Sequence, residues 1–270
     1  MTIIDSHEME TLIARIRQVA NRELMPRFMH VERQLKRDGS FVTEADLVVQ
    51  QEMSTYLKRH WPDIPFLGEE MSPAQQRALL ESENPIWCLD PLDGTTNFVA
   101  DIPYFCISLS LIAGGRVLTG IVYDPNRDEC FSARSGEGAW LNGSMIEPQQ
   151  QRTSLTRATG MVDFKRLPEA LSTRLVTRTP YASQRSFGSV ALDLCWIAAG
   201  RCDLYLHGRS NIWDYGAGLL ILQESGGSSC TLEGEEVFSR HLEPRSIVAA
   251  GEMQVFAEWC DWLGVTPRVR

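Results

Sequence analysis

The chain has 270 residues, 43% hydrophobic and 23% charged, a globular composition long enough for one large core or two closely packed halves. Its 26 basic and 35 acidic residues leave a net charge of −9, which excludes nucleic-acid binding through a general basic field. An anionic ligand would need local help from metal ions or backbone N–H groups.

In chain order, the opening MTIIDSHEMETLIARIRQVANREL carries acids and lacks the basic-then-apolar order of a secretion signal. No apolar run approaches the ~18–20 residues of a membrane span, so a cytoplasmic protein is expected. Residues 8–28 read as helix, with Leu12, Ile13, Ile16, Val19, Ala20 and Leu24 forming one stripe. KRDGSFVTEAD follows as a turn and a short extended piece. Lys36 and Arg37 lie on it, either as solvated surface or as part of a lid. A second helix is expected from Glu44, capped by Thr43 and stopped at Trp61-Pro62. DIPFLGEEMS reads as a short strand entering a polar loop.

Ile86–Leu89 reads as a buried strand ending at a turn, because Pro91 and Gly94 argue against a strand interior. FCISLSLIAGGRVLTGIVYDP alternates and carries Gly114-Gly115, the pattern of a β-hairpin. ECFSARSGEGAWLNG gives another strand and a glycine-rich turn. A polar stretch near 144–156 divides the chain into halves, 1–145 and 146–270. SVALDLCWIAAGRCDLYL then gives a helix ended by Gly200 and a strand. WDYGAGLLILQESGG gives a helix closed by Gly226-Gly227. The seven cysteines are scattered singly and no CxxC occurs. Buried, reduced thiols are expected rather than disulfides or zinc.

Four acidic spots sit on turns or element ends beside small residues: Asp46, Glu69-Glu70, Asp90 with Asp93, and Asp214. Singly, each has a structural explanation. Asp46 suits a first helical turn, Glu69-Glu70 a solvated loop, and Asp214 a helix cap. DPLDGTT is harder to explain that way, because two carboxylates on one tight turn repel unless a cation lies between them. Oxygen donors suit Mg²⁺, and the Leu92 carbonyl lies between the acids as a further donor. Gly94 admits close backbone approach, and Gly94-Thr95-Thr96 can begin a helix whose free N–H groups hold phosphate.

FVTEAD (41–46), GEE (68–70), DPLDGTTNF (90–98), GSVALDLCWIAAGRCDLY (188–205) and WDYGAGLLILQESGG (213–227) together resemble the inositol monophosphatase family of Mg²⁺-dependent, Li⁺-sensitive phosphatases. The resemblance covers nearly the whole chain. It implies a mixed α/β fold, the layered α/β/α/β/α sandwich shared with fructose-1,6-bisphosphatase, and a homodimer. It implies two or three Mg²⁺ ions: Glu69, Asp90 and the Leu92 carbonyl on one, and Asp90, Asp93 and Asp214 on another. Gly94 and Thr95 would contact the phosphate and Asp46 would pair with Thr95. Glu69 would orient the attacking water, and Gly188, Ser189 and Val190 would line the leaving group. The implied activity is hydrolysis of a small phosphate monoester by a metal-activated water attacking in line.

One position departs from the family. Seven residues before Asp214, where inositol phosphatases carry a glutamate for inositol hydroxyls, stands His207, followed by Arg209. These groups mainly donate hydrogen bonds. They suit a second anionic group or an exposed loop better than an inositol hydroxyl. NIWD, which ends at Asp214, resembles the 3'(2'),5'-bisphosphate nucleotidases, whereas TNF after DGT resembles the inositol phosphatases. Inositol 1-phosphate is the expected substrate type, and nucleotide, sugar or histidinol phosphates remain open. Trp213 is expected to serve packing beside the site.

Overall fold

The computed structural model describes residues 3–28, 34–35, 41–149 and 154–268. Lys36 and Arg37 lie outside the described residues, as does part of the polar boundary segment. The N-terminal helix α1 (Ser6–Val19) opens with a capping box, in which Asp5 accepts from the Glu8 N–H and Glu8 from the Asp5 N–H. Helical winding then widens into one π-turn over Ala20–Leu24. This replaces the single α-helix expected to 28, yet the apolar stripe, apart from a half-buried Ile13, stays buried through Leu24.

The remaining elements are β1 (Gln34–Leu35), β2 (Phe41–Val42), α2 (Glu44–His60), β3 (Phe66–Gly68), α3 (Pro73–Glu81), β4 (Ile86–Asp93), α4 (Thr95–Val99), β5 (Cys106–Ala113), β6 (Arg116–Asp124), β7 (Glu129–Arg134), β8 (Ala139–Leu141) and β9 (Ser144–Met145). They continue with β10 (Thr159–Asp163), α5 (Glu169–Thr177), β11 (Ser183–Arg185), α6 (Val190–Ala198), β12 (Leu204–Ser210), α7 (Ile212–Glu224), β13 (Ser228–Cys230), β14 (Arg245–Ala250) and α8 (Met253–Leu263). Strands β3 to β9 form a seven-stranded sheet in chain order, and the second sheet runs β11-β10-β12-β14-β13.

Period-two alternation along the strands stacks the layers. In β4, Trp87 and Leu89 face the cluster built with α1 and α2, whereas Ile86 and Cys88 face the cluster built with α6 and α7. In the second sheet, Met161, Tyr205, Ile247 and Ala249 point into that same α6–α7 layer. Their neighbours Val162, Leu206, Val248 and Ala250 point the other way, against α8 residues Val255, Phe256 and Trp259. The order is therefore helices, seven-stranded sheet, α6 and α7, five-stranded sheet, helices. Strands covered on both faces explain the near-continuous apolar runs.

The alternation read in β5 proves to be one of size. Ile107, Leu109 and Leu111 meet the outer helices. Ser108 and Ser110 on the other face are equally buried, with Ser108 Oγ donating to the Trp213 carbonyl at 3.3 Å. Small residues stand there because α7 lies almost on the sheet. A Cβ on Gly120 would come within 2.7 Å of the Ala217 carbonyl oxygen. All seven cysteines are free and buried, as expected.

Candidate active site

The acids of DPLDGTT do not follow the strand; they lie in it. β4 runs on to Asp93, and its pairing with β5 slips between Asp90 and Asp93. The bulge absorbs Pro91, which has no N–H to give the ladder, so a strand interior is compatible with the proline after all. Asp90 and Asp93 are 3% and 8% exposed, far more sheltered than turn residues. Asp90 Oδ1 accepts from the Leu92 N–H at 3.0 Å. Asp93 Oδ2 accepts from Ser189 Oγ and from the Ala191 N–H, both at 2.7 Å. Ser189 is itself the N-cap of α6. The first sheet and the middle helical layer are thus tied at one carboxylate.

The chain then turns at Gly94, whose φ is +98°. A Cβ there would lie 2.9 Å from the Tyr104 carbonyl oxygen, so this position needs glycine on two counts. Thr95 begins α4, and its hydroxyl donates to the Leu92 carbonyl at 3.0 Å and lies 3.4 Å from Asp46 Oδ1. Asp46 is wholly buried; its Oδ2 accepts from the Thr43 N–H and hydroxyl at 2.7 and 2.6 Å. The capping reading of Asp46 and its expected pairing with Thr95 therefore use different oxygens of one side chain. Asp214 repeats the pattern at the start of α7, where Asn211 is the N-cap and Asp214, three residues on, accepts from the Asn211 N–H at 2.8 Å. Glu69 sits on a loop held from two helices: the Gln50 side chain accepts from the Glu70 N–H, and the Gln76 amide donates to the Gly68 and Glu69 carbonyls, each at 3.0 Å.

Glu69, Asp90, Leu92, Asp93, Gly94, Thr95, Gly188, Ser189, Val190, His207 and Asp214 all line one cavity of about 570 Å³. Asp46 stands behind it, reached through Thr95. Burial, then repulsion from Glu69, Asp93 and Asp214, drives the Asp90 carboxyl well above the usual range. Burial, with Asp93 and Glu69 adding to it, does the same to Asp214. Asp93 is raised to about 6, burial outweighing the hydrogen bonds from Ser189 and Ala191. Asp46 is raised to about 7, chiefly by burial. Among the described residues no three Asp, Glu, His or Cys side chains already close into a metal cage. The donor set fits a hard divalent cation nonetheless. It is oxygen throughout, it includes the Leu92 carbonyl, and its crowded negative charges are the kind a cation relieves.

The second sheet builds the rest of the wall. His207 is on β12, 7% exposed, and is not a surface-loop residue. Its Nε2 lies 3.2 Å from Asp163 Oδ2, while Nδ1 lies 2.6 Å from Ser210 Oγ and accepts from the Arg209 N–H at 3.3 Å. Both ring nitrogens are occupied by protein. Burial works to raise the Asp163 carboxyl, but the His207 hydrogen bond and charge, with Lys165, hold it below its usual value. Sequence reasoning missed Lys165 and Arg166, which also line the cavity beside Arg209; the run DFKR at a strand end was the available signal. It also missed Asn97, whose amide donates to the Tyr104 and Phe187 carbonyls at 2.8 and 2.6 Å and joins α4 to the segment before Gly188. Trp213 packs in the central cluster, as expected.

A family model described as the inositol monophosphatase family matches residues 4–260. The chain belongs to the inositol monophosphatase family. It is 39% identical to inositol monophosphatase 1 of Solanum lycopersicum over 202 residues, 72% of this chain and 73% of that one. It is 35% identical to the Nus factor SuhB of Pasteurella multocida over 215 residues, covering 77% and 79% of the two chains. The solved structure of SaIMPase-II with inositol monophosphate bound superposes with a TM-score of 0.80 at 25% identity, covering 96% of each chain. As a member of the inositol monophosphatase family, the protein is a phosphatase that hydrolyses phosphate monoesters.

Proposed function

We propose that this phosphatase requires Mg²⁺ and acts on a small phosphorylated metabolite of the inositol 1-phosphate type. The supporting observation is the meeting of Glu69, Asp90, Asp93 and Asp214 with the Gly94–Thr95 turn in one cavity. Glu69, Asp90 and the Leu92 carbonyl would hold one Mg²⁺, and Asp90, Asp93 and Asp214 a second, with two or three ions in all. Bound there, the cations supply Lewis-acid stabilisation of phosphoryl charge and lower the pKa of water. The chain's own groups do the positioning. The backbone N–H of Thr95 and its hydroxyl would orient the phosphate, and Asp46 fixes that hydroxyl from behind. Glu69, half-buried at the cavity, would accept a proton from the attacking water. Gly188, Ser189 and Val190 would line the leaving group. The similarity to inositol monophosphatase 1 supports the substrate type; a 3'(2'),5'-bisphosphate nucleotidase or a sugar or histidinol phosphatase is the alternative. A cytoplasmic homodimer inhibited by Li⁺ completes the reading.

The test is phosphate release from inositol 1-phosphate, histidinol phosphate, fructose 1,6-bisphosphate and adenosine 3',5'-bisphosphate, with Mg²⁺, with added Li⁺ and in excess chelator. Full activity in chelator overturns the metal dependence. Preference for the nucleotide overturns the substrate type and leaves the chemistry standing. The similarity to a Nus factor favours a second reading, a factor working through a partner surface. It requires a partner whose binding survives Asp93→Asn.

A further inference from the structure

We infer that the physiological substrate carries a second anionic group, held by Lys165, Arg166 and Arg209 on the cavity wall built by the second sheet. This rests on the phosphatase reading above and narrows its substrate class. β10 and β12 are parallel neighbours with Asp163 opposite His207, so both strands end at the same edge of the sheet. Lys165 and Arg166 follow β10 directly and Arg209 lies at the end of β12. Topology therefore gathers three cations at one rim, and all three line the cavity that holds the carboxylates.

The cationic turn is built, not incidental. Asp163 Oδ1 accepts from the Lys165 N–H at 3.2 Å, and Asp163 Oδ2 meets His207 Nε2. Gly208 lets the turn lie on β12; a Cβ there would be 1.9 Å from the Arg166 carbonyl oxygen. The three cationic heads make no ion pair or side-chain hydrogen bond among the described residues. Arg15, Arg27, Arg127, Arg201 and Arg245 are paired with carboxylates. Other exposed cations such as Arg77 and Arg116 stand without an ion pair among the described residues, as these three do, but only Lys165, Arg166 and Arg209 among them line the cavity. Lys165 acts on Asp163 and Arg166 on Asp214, yet three exposed cations gathered at the rim of one cavity offer donors that a second anionic group of the ligand would meet. Guanidinium and ammonium heads suit phosphate or carboxylate oxygens. His207 contributes by anchoring the turn, since both its nitrogens are taken.

The test compares matched pairs differing by one phosphate: inositol 1-phosphate with inositol 1,4-bisphosphate, and adenosine 3'-monophosphate with adenosine 3',5'-bisphosphate. The wild type is expected to favour at least one bisphosphate by about tenfold or more in kcat/KM. The double variant Lys165→Gln/Arg209→Gln is expected to shrink that ratio roughly 10- to 100-fold, the scale of losing charge-assisted hydrogen bonds. Arg166 is left intact because its charge reaches Asp214. Equal rates on mono- and bisphosphates, or an equal fall on both in the variant, overturn the inference. Calorimetric binding of the same pairs separates the two levels of reading. If none of these esters turns over, the substrate type proposed above fails, while tighter binding of the bisphosphate still supports the second-anion subsite and equal binding overturns it.

Discussion

At Asp93 one side chain answers to two masters. Its Oδ2 receives two short hydrogen bonds from the start of α6, while burial raises its pKa to about 6. Asp93→Asn keeps the shape and removes the charge. We expect kcat/KM to fall by about a thousandfold or more, several kcal/mol of lost charge stabilisation. In chelator near pH 7 the same variant should melt higher than wild type, because it deletes a buried charge whose burial outweighs its hydrogen bonds. A thermal melt alongside the assay checks both signs. Asp46 makes a pH prediction. Its folded-state value of about 7 lies above the ~3.9 of an unfolded aspartate, so the folded state binds more protons between those limits and stability falls as pH rises through them. Without divalent cations, Tm should drop between about pH 4 and 7; Asp46→Asn should flatten that slope. An unchanged slope in Asp46→Asn would rule Asp46 out as its source.

Among elements, the join between β4, α4 and α6 carries the site. Ser189 caps α6 and donates to Asp93. Ser189→Ala should therefore cost about 1–2 kcal/mol in urea unfolding and lower kcat/KM as well; a stability loss with kinetics untouched would detach α6 from the chemistry. Gly94→Ala should reduce phosphate release sharply, since φ of +98° and the Tyr104 carbonyl both resist a side chain. Local signals made most elements readable beforehand. Thr43 and Trp61 bracket α2 as capping chemistry requires, and Gly114-Gly115 turns the β5–β6 hairpin. What stayed hidden was set at a distance. The bulge that keeps Asp90 to Asp93 inside β4 is defined by its partner strand. The large–small alternation of β5 takes its meaning from α7, more than a hundred residues later. The acids of the site were legible because each stands in a short motif beside small or turn-forming residues, although Asp90 and Asp93 prove to lie within β4. Lys165 and Arg166 were not, because only the pairing of β10 with β12 brings them to the cavity.

Across the whole molecule, the central helices α6 and α7 share one apolar cluster with both sheets. We propose that 1–145 and 146–270 fold as halves of a single core. Expressed alone, 1–145 should show no cooperative melt by circular dichroism, since the face of its sheet that meets α7 would be bare; a sharp transition in that fragment would establish a separable domain. The site draws Asp90 and Asp93 from one half and Asp214 and Ser189 from the other, so chemistry and folding depend on the same junction. The seven interior thiols follow from this architecture. An alkylating reagent meets them only when the layers part, so the rate at which each cysteine is labelled would time how often its own neighbourhood breathes, from the outer helices to the middle of the sandwich, without any added probe.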